Sequence, residues 1–181
     1  MPLLLILTLL LIVLIAAITD LHSRRIPNWL VAVGSALGIG LNASVFGLEG
    51  FKSALIGAGC AFAVYFLFYL LHAMGAGDVK LMAAIGAFVG AKAWAVIFFL
   101  TAVSGAMVAL VVLIASCQLR RTLWKVRLLI GHLLHFRAPY KVNGELDVQS
   151  DLAMRLPHAV SIALGTIAFL IAQHLQQRPP F

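Results

Sequence analysis

Charged side chains punctuate the chain at long intervals, and the stretches between them are apolar almost without interruption. A charge at the bilayer midplane costs roughly 2.5 to 3.5 kcal/mol, so charge-free runs delimit candidate membrane spans better than hydropathy alone. Five runs, Met1 to Thr19, Trp29 to Leu48, Ser53 to Gly77, Ala93 to Leu119 and Leu156 to Gln177, are close to or above the ~20 residues needed to cross a 30 Å hydrocarbon core. A sixth, Leu81 to Ala91, is bounded by Lys80 and Lys92. It makes only about 16 Å of helix at 1.5 Å per residue, and it crosses only if both lysines snorkel or the bilayer thins. The pattern predicts an all-α integral membrane protein of about six transmembrane helices, the fourth of them short.

Between residues 118 and 155 the pattern changes. Leu119, Leu123, Val126, Ile130 and Leu133 recur at helical spacing, with Arg120, Arg121, Lys125 and Arg127 nearer the opposite face. This predicts an amphipathic helix on the cytoplasmic leaflet between helices 5 and 6. Its apolar face argues against a basic arm for nucleic acid. From Ala138 to Asp151 the residues Pro139, Asn143, Gly144, Glu145, Asp147 and Ser150 mark a solvated loop. The chain is expected to form a single membrane-embedded domain, residues 1–181.

Composition agrees. Of 181 residues 63% are hydrophobic and 10% charged, with a mean hydropathy of +1.07, whereas soluble domains carry about 25% charged residues. A water-soluble globule and a disordered chain are both excluded. The net charge of +7 is first a matter of orientation. The first run lacks a basic n-region and is followed by Arg24 and Arg25 instead of a small-residue cleavage site, so it is expected to remain as a helix with its N-terminus outside. All Lys and Arg except Lys52, Lys92 and Arg178 then fall on the inside. If the fourth helix failed to cross, the long basic loop would move outside, so the charge distribution itself favours six spans. Cys60 and Cys117 are too few for a zinc cluster or a disulfide framework and are expected only to pack.

Scarcity of acid singles out candidate chemistry. Of six acidic residues, Glu145, Asp147 and Asp151 belong to the polar loop and Glu49 to a short external turn, leaving Asp20 and Asp78. Both fall at the inner membrane face, where an ionisable group is a functional candidate. Each also has an ordinary explanation: Asp20 as a juxtamembrane charge paired with Arg24, Asp78 as a helix cap. The setting of Asp78, Gly75-Ala76-Gly77-Asp78-Val79-Lys80, adds weight. Two glycines around one small residue leave a backbone that other chains can approach. Irregular backbone at membrane depth survives only where protein or a watery cavity satisfies it. His22 and His72 lie near the aspartates in sequence and are read as wet interfacial histidines. Gly34, Gly38, Gly57, Gly86 and Gly90 are assigned to close helix packing, and the Gly34/Gly38 spacing suits intramolecular packing and dimerisation equally.

The segment Gly75-Ala76-Gly77-Asp78-Val79-Lys80-Leu81-Met82 resembles the GxGD signature of membrane aspartic proteases, in the GxGDVKL form of bacterial type IV prepilin peptidases. Asp20-Leu21-His22-Ser23-Arg24-Arg25-Ile26-Pro27-Asn28 resembles that family's first aspartate segment. Leu156-Pro157-His158-Ala159-Val160-Ser161-Ile162-Ala163-Leu164-Gly165 is a looser match to its last helix, where the family more often shows Pro-Tyr or Pro-Phe and a Gly in place of His158 and Ala159. Full-length members carry a cytosolic segment with a cysteine tetrad linked to methylation. This sequence is similar to the short, peptidase-only branch associated with tight-adherence (Flp) pili. Presenilin-like proteases match less well, because Thr19 precedes Asp20 where they have a Tyr-Asp pair.

The resemblance implies an aspartic endopeptidase of the bacterial inner membrane, without metal or cofactor. It would remove the short basic leader of prepilins or pseudopilins at the cytoplasmic face. Its catalytic pair would be Asp20 and Asp78, one ionised to activate water and one protonated to protonate the carbonyl oxygen. Two carboxylates held close share a proton because both cannot readily ionise. The helix-start position makes Asp78 the candidate base, although a coupled pair leaves the two roles interchangeable on sequence alone. Gly75 and Gly77 would admit an extended substrate backbone, and Lys80, Arg24 or Arg25 would meet a substrate acid. The lysine and arginines are equally well read as topology signals. Two other classes stay open at this level: a small proton- or cation-coupled carrier using the same aspartates, against which the lack of an inverted repeat counts, and a pilus-assembly protein without chemistry.

Overall fold

The structure, a computed structural model, describes residues 1–115 and 158–176. The expected amphipathic segment at 118–155 lies outside the described residues. Four helices are present: α1 (Leu3–Ser23), α2 (Asn28–Leu70), α3 (Ala76–Ala115) and α4 (His158–Gln176), and there is no strand among the described residues. All four are long and apolar enough to cross a membrane. The chain divides into two compact units, Met1–Gly105 with Pro157–Phe181, and Ala106–Leu156. The second contributes residues 106–115 of α3 to the described part, and both aspartates belong to the first.

Where six helices are expected, the backbone gives four, because two expected boundaries are single glycines within longer helices. Gly47 (φ 61°, ψ −142°) interrupts α2 and Gly90 (φ 76°, ψ 170°) interrupts α3. Both take a positive φ that residues with a Cβ rarely adopt. The break at Gly47 reverses the chain. Gly50 lies against the Asn42 carbonyl, although eight residues of straight helix would separate them by about 12 Å. The start of α3 then packs between the two halves of α2. Gly34 and Gly38 of the first half face Ala84 and Ala87 with Phe88, and Gly57 of the second half lies backbone to backbone on Gly86 and Gly90. These glycines therefore serve packing within one chain.

α1 is apolar on every side, as a membrane helix should be. Leu5, Leu9, Ile12, Val13, Ala16 and Ala17 are buried against the other helices, whereas Leu4, Leu7, Leu11, Leu14 and Ile18 are exposed. It packs on α2 and α4. Three hydroxyls within the helices, those of Thr8, Thr19 and Thr166, donate to carbonyls one turn back.

One buried polar side chain holds the break in α3. The Asn42 amide donates to the Gly38 carbonyl at 2.9 Å and to those of Ala87 and Phe88 at 3.0 Å each. The turn at Gly90 leaves these last two at the end of the first stretch of α3, where helical carbonyls lose their regular partners. With no water in a bilayer core, a side chain from another helix must serve them. Replacing Asn42 with the near-isosteric leucine is expected to lower stability by about 1–3 kcal/mol, the cost of orphaned buried acceptors. Thermal unfolding in detergent measures it, and an unchanged midpoint would refute this role for Asn42.

Candidate active site

Each aspartate singled out by the sequence is fixed by a helix N-terminus. Gly75 stands just before α3, and the Asp78 carboxylate turns back to accept a hydrogen bond from the Gly75 N–H at 3.3 Å. This is the reciprocal half of a capping box, made by an aspartate at the third helical position. The Asp78 and Val79 amides in turn donate to the Gly75 carbonyl. Asp20 is held by a different helix: it lies in the last turn of α1, and its Oδ2 accepts from the Ala159 N–H of α4 at 3.1 Å. A carboxylate there satisfies a free amide and meets the positive end of the helix dipole.

The two caps bring the aspartates into one electrostatic environment. Asp78, 8% exposed, lies within electrostatic range of Asp20, of His158 and of buried Tyr65 of α2. Residues 20, 65, 78 and 158–159 thus lie near one another at the ends of four helical segments. Among the described residues no group of three or more His, Cys, Asp or Glu has the arrangement to hold a metal ion.

The loop after α1 is locked onto the loop before α3. Arg24 closes α1 in the left-handed conformation (φ 51°, ψ 32°), its N–H on the Asp20 carbonyl. The chain then runs extended through Ile26 and Pro27 into α2. A Cβ at Gly77 would lie 3.3 Å from the Ile26 Cβ, so what Gly77 admits in this structure is Ile26. Lys80 Nζ donates to Asn28 Oδ1 at 3.0 Å. The Arg-Ile-Pro-Asn segment and the glycine-aspartate segment therefore form one contact surface, with Lys80 engaged in it.

Arg24 and Arg25 are exposed and make no ion pair with a described carboxylate, the ion pair among the described residues being Lys52–Glu49. Asp20 is thus bound to the α4 backbone and forms no ion pair with Arg24. His22 and His72 are exposed, and His72 has φ 57°. Gly75 faces the Asp78 carboxylate, with its Cβ position 3.4 Å from Oδ2.

Sequence reasoning did not assign a role to Tyr65 or to His158. Tyr65 lies inside a long apolar run with nothing local to mark it. His158 was visible only as a departure from a family pattern. Its position directly after Pro157 is the signal, because proline favours helix starts and such a start points free amides and their flanking side chains at whatever lies above.

A family model described as the type IV leader peptidase family matches residues 6–110. The matched stretch takes in Asp20, the Ile26–Asn28 loop and the glycine-aspartate turn. No curated protein and no solved structure matches the chain. The match covers more than half of the sequence and contains both carboxylates of the site, and the chain belongs to the type IV leader peptidase family, as a peptidase built of membrane-spanning helices.

Proposed function

We propose that the chain is an aspartic endopeptidase that removes the short basic leader from type IV prepilins of the Flp type, with Asp20 and Asp78 as its catalytic pair. The observation that carries this reading is the convergence of the two carboxylates. They lie 58 positions apart in the sequence, each is held by a helix N-terminus, and the two are within electrostatic range of one another. One proton shared between them leaves one carboxylate to draw a proton from water and one acid to protonate the scissile carbonyl, and peptide hydrolysis needs both.

Six crossings complete the reading, counting α2 and α3 twice each on either side of Gly47 and Gly90. Two positive-φ glycines close to the expected ends of the second and fourth spans support that count. With the N-terminus outside, the end of α1, the start of α3 and the start of α4 all face the cytoplasm, where a substrate leader would lie. Gly75 leaves the backbone beside Asp78 without side-chain bulk for an extended substrate, whereas the space at Gly77 is already filled by Ile26. Exposed Arg24 and Arg25 are available to a substrate acid, and Lys80 would have to exchange its Asn28 partner to take that part.

Co-expression of the chain with an Flp prepilin in a bacterial host without its own leader peptidase is expected to convert the precursor to a faster-migrating band, cut just before the hydrophobic segment. Unprocessed precursor beside a correctly inserted enzyme would refute the assignment. Solute uptake dependent on the same aspartates, without cleavage, would point to a carrier.

A further inference from the structure

The two carboxylates hydrogen-bond elsewhere than to each other, Asp20 to Ala159 and Asp78 to Gly75, so their spacing is fixed by the protein between them. A short route runs through the loop after α1. Ile26 follows Asp20 by six positions, and Gly77 immediately precedes Asp78. Few free torsions remain along that route. The Asp20 carbonyl accepts from the Arg24 N–H at 2.8 Å, the Ser23 hydroxyl donates back to the Thr19 carbonyl at 2.8 Å, and Pro27 pins the far end with φ at −62°. On the other side of the joint the Asp78 N–H donates to the Gly75 carbonyl at 3.1 Å.

The joint itself is one side chain. A Cβ at Gly77 would meet Ile26 Cβ at 3.3 Å and its Cγ1 and Cδ1 at 3.5 Å, so the Gly77 backbone rests along the length of the isoleucine. A β-branched side chain is stiff at χ1, and half-buried Ile26 also packs on the buried core. It acts as a spacer of fixed length. The hydrogen bond from Lys80 Nζ to Asn28 Oδ1 at 3.0 Å ties the same two segments a little further along, in an exposed and therefore weaker contact. We propose that Ile26 is a positioning residue for the aspartate pair: seated on Gly77 and joined to Asp20 by a pinned stretch of backbone, it sets how far apart the two carboxylates stand. The inference rests on the dyad reading and adds to it the residue that governs the spacing.

The test uses the purified full-length chain and a synthetic transmembrane peptide with a basic leader and a glycine at the cleavage point. Ile26→Ala should lower kcat by about 10- to 100-fold, the scale of a misplacement of about 1 Å, and leave KM near its normal value. Ile26→Val keeps the Cβ and its branch and should retain most of the rate. Asn28→Ala removes only the exposed tie and should cost less than Ile26→Ala. The pH profile separates positioning from folding. Two carboxylates share one proton over a pH range that widens as they approach. Ile26→Ala lets them part, so the bell-shaped profile of kcat should narrow from both sides, whereas partial unfolding would scale the profile without reshaping it. A profile of unchanged width, or Ile26→Val as slow as Ile26→Ala, overturns the assignment. A second arm needs no catalysis. Spin labels at the exposed positions 22 and 76, introduced as His22→Cys and Ala76→Cys with Cys60→Ser and Cys117→Ser, read the separation of the two segments in detergent. Ile26→Ala should broaden the distribution of distances, and an unchanged distribution overturns the role of Ile26. A wild-type chain that leaves the peptide uncut counts against the peptidase reading itself, and the label distances then still decide whether Ile26 sets the spacing.

Discussion

Asparagine at position 78 or at position 20 is expected to reduce prepilin processing by about 10²–10⁴-fold or more, the range of a single acid–base group, with folding unaffected. The amide has nearly the shape of the carboxylate but can neither take nor release a proton under these conditions. The structure explains why folding should survive. Asp20 accepts from the Ala159 N–H, and asparagine is as good a cap as aspartate. At position 78 the amide oxygen can still accept from Gly75, and a buried charge is removed. Alanine is the contrasting change: Asp20→Ala loses both the chemistry and the cap, adding a stability loss of about 1 kcal/mol. Processing on gels, alongside thermal midpoints in detergent, separates the two effects. Normal processing by either asparagine variant would rule out the dyad.

The second large effect concerns the scaffold. Gly57→Leu should prevent the native helix packing, and Gly57→Ala should cost about 1–3 kcal/mol, the usual penalty for overpacking. A Cβ at Gly57 would stand 2.8 Å from Gly90 Cα and against the Gly86 carbonyl, and one at Gly86 would stand 2.7 Å from the Gly57 carbonyl carbon. Everything it meets at Gly57 is backbone, so no flexible side-chain tip can move aside and a helix must shift. The helix that shifts is the start of α3, which carries Asp78 two turns from Gly86, so processing should fall with stability. Gly40 and Gly59 are the controls: a Cβ at either meets nothing within 4 Å, and leucine there should leave the midpoint near its normal value. Equal midpoints for Gly57→Leu and Gly59→Leu would show that the close approach does not hold the helices.

These two expectations differ in how far the sequence alone could have reached them. Asp20 and Asp78 were legible because charge is scarce in an apolar chain: once topology assigned four acids to polar turns, two were left at one face. The breaks at Gly47 and Gly90 fall close to the expected span ends, since Lys52 and Lys92 follow them by a few residues. The sequence did not show that single glycines would make both turns, because a positive-φ turn leaves no composition signal beyond one glycine among 15. Asn42 was hidden for a different reason. It sits within an uncharged run, and the carbonyls it serves, at residues 87 and 88, lose their regular partners only because of the turn at Gly90. The glycines near Asp78 were legible as a loop without bulk, but the sequence did not show that Gly77 admits Ile26 or that Lys80 reaches Asn28. These are long-range contacts, and no local pattern encodes them.

The contact between Asp20 and Ala159 also sets an order of events during synthesis. The Asp20 carboxylate leaves the ribosome 139 residues ahead of the amide that holds it. The loop around Ile26 and Asn28 likewise waits for Gly77 and Lys80. A nascent chain halted between α3 and α4 therefore holds both aspartates without the helix end that positions Asp20, so the site is expected to assemble only once α4 has been made. On the proposed reading, an enzyme whose substrates enter the same membrane would thereby gain activity only after α4 is in place.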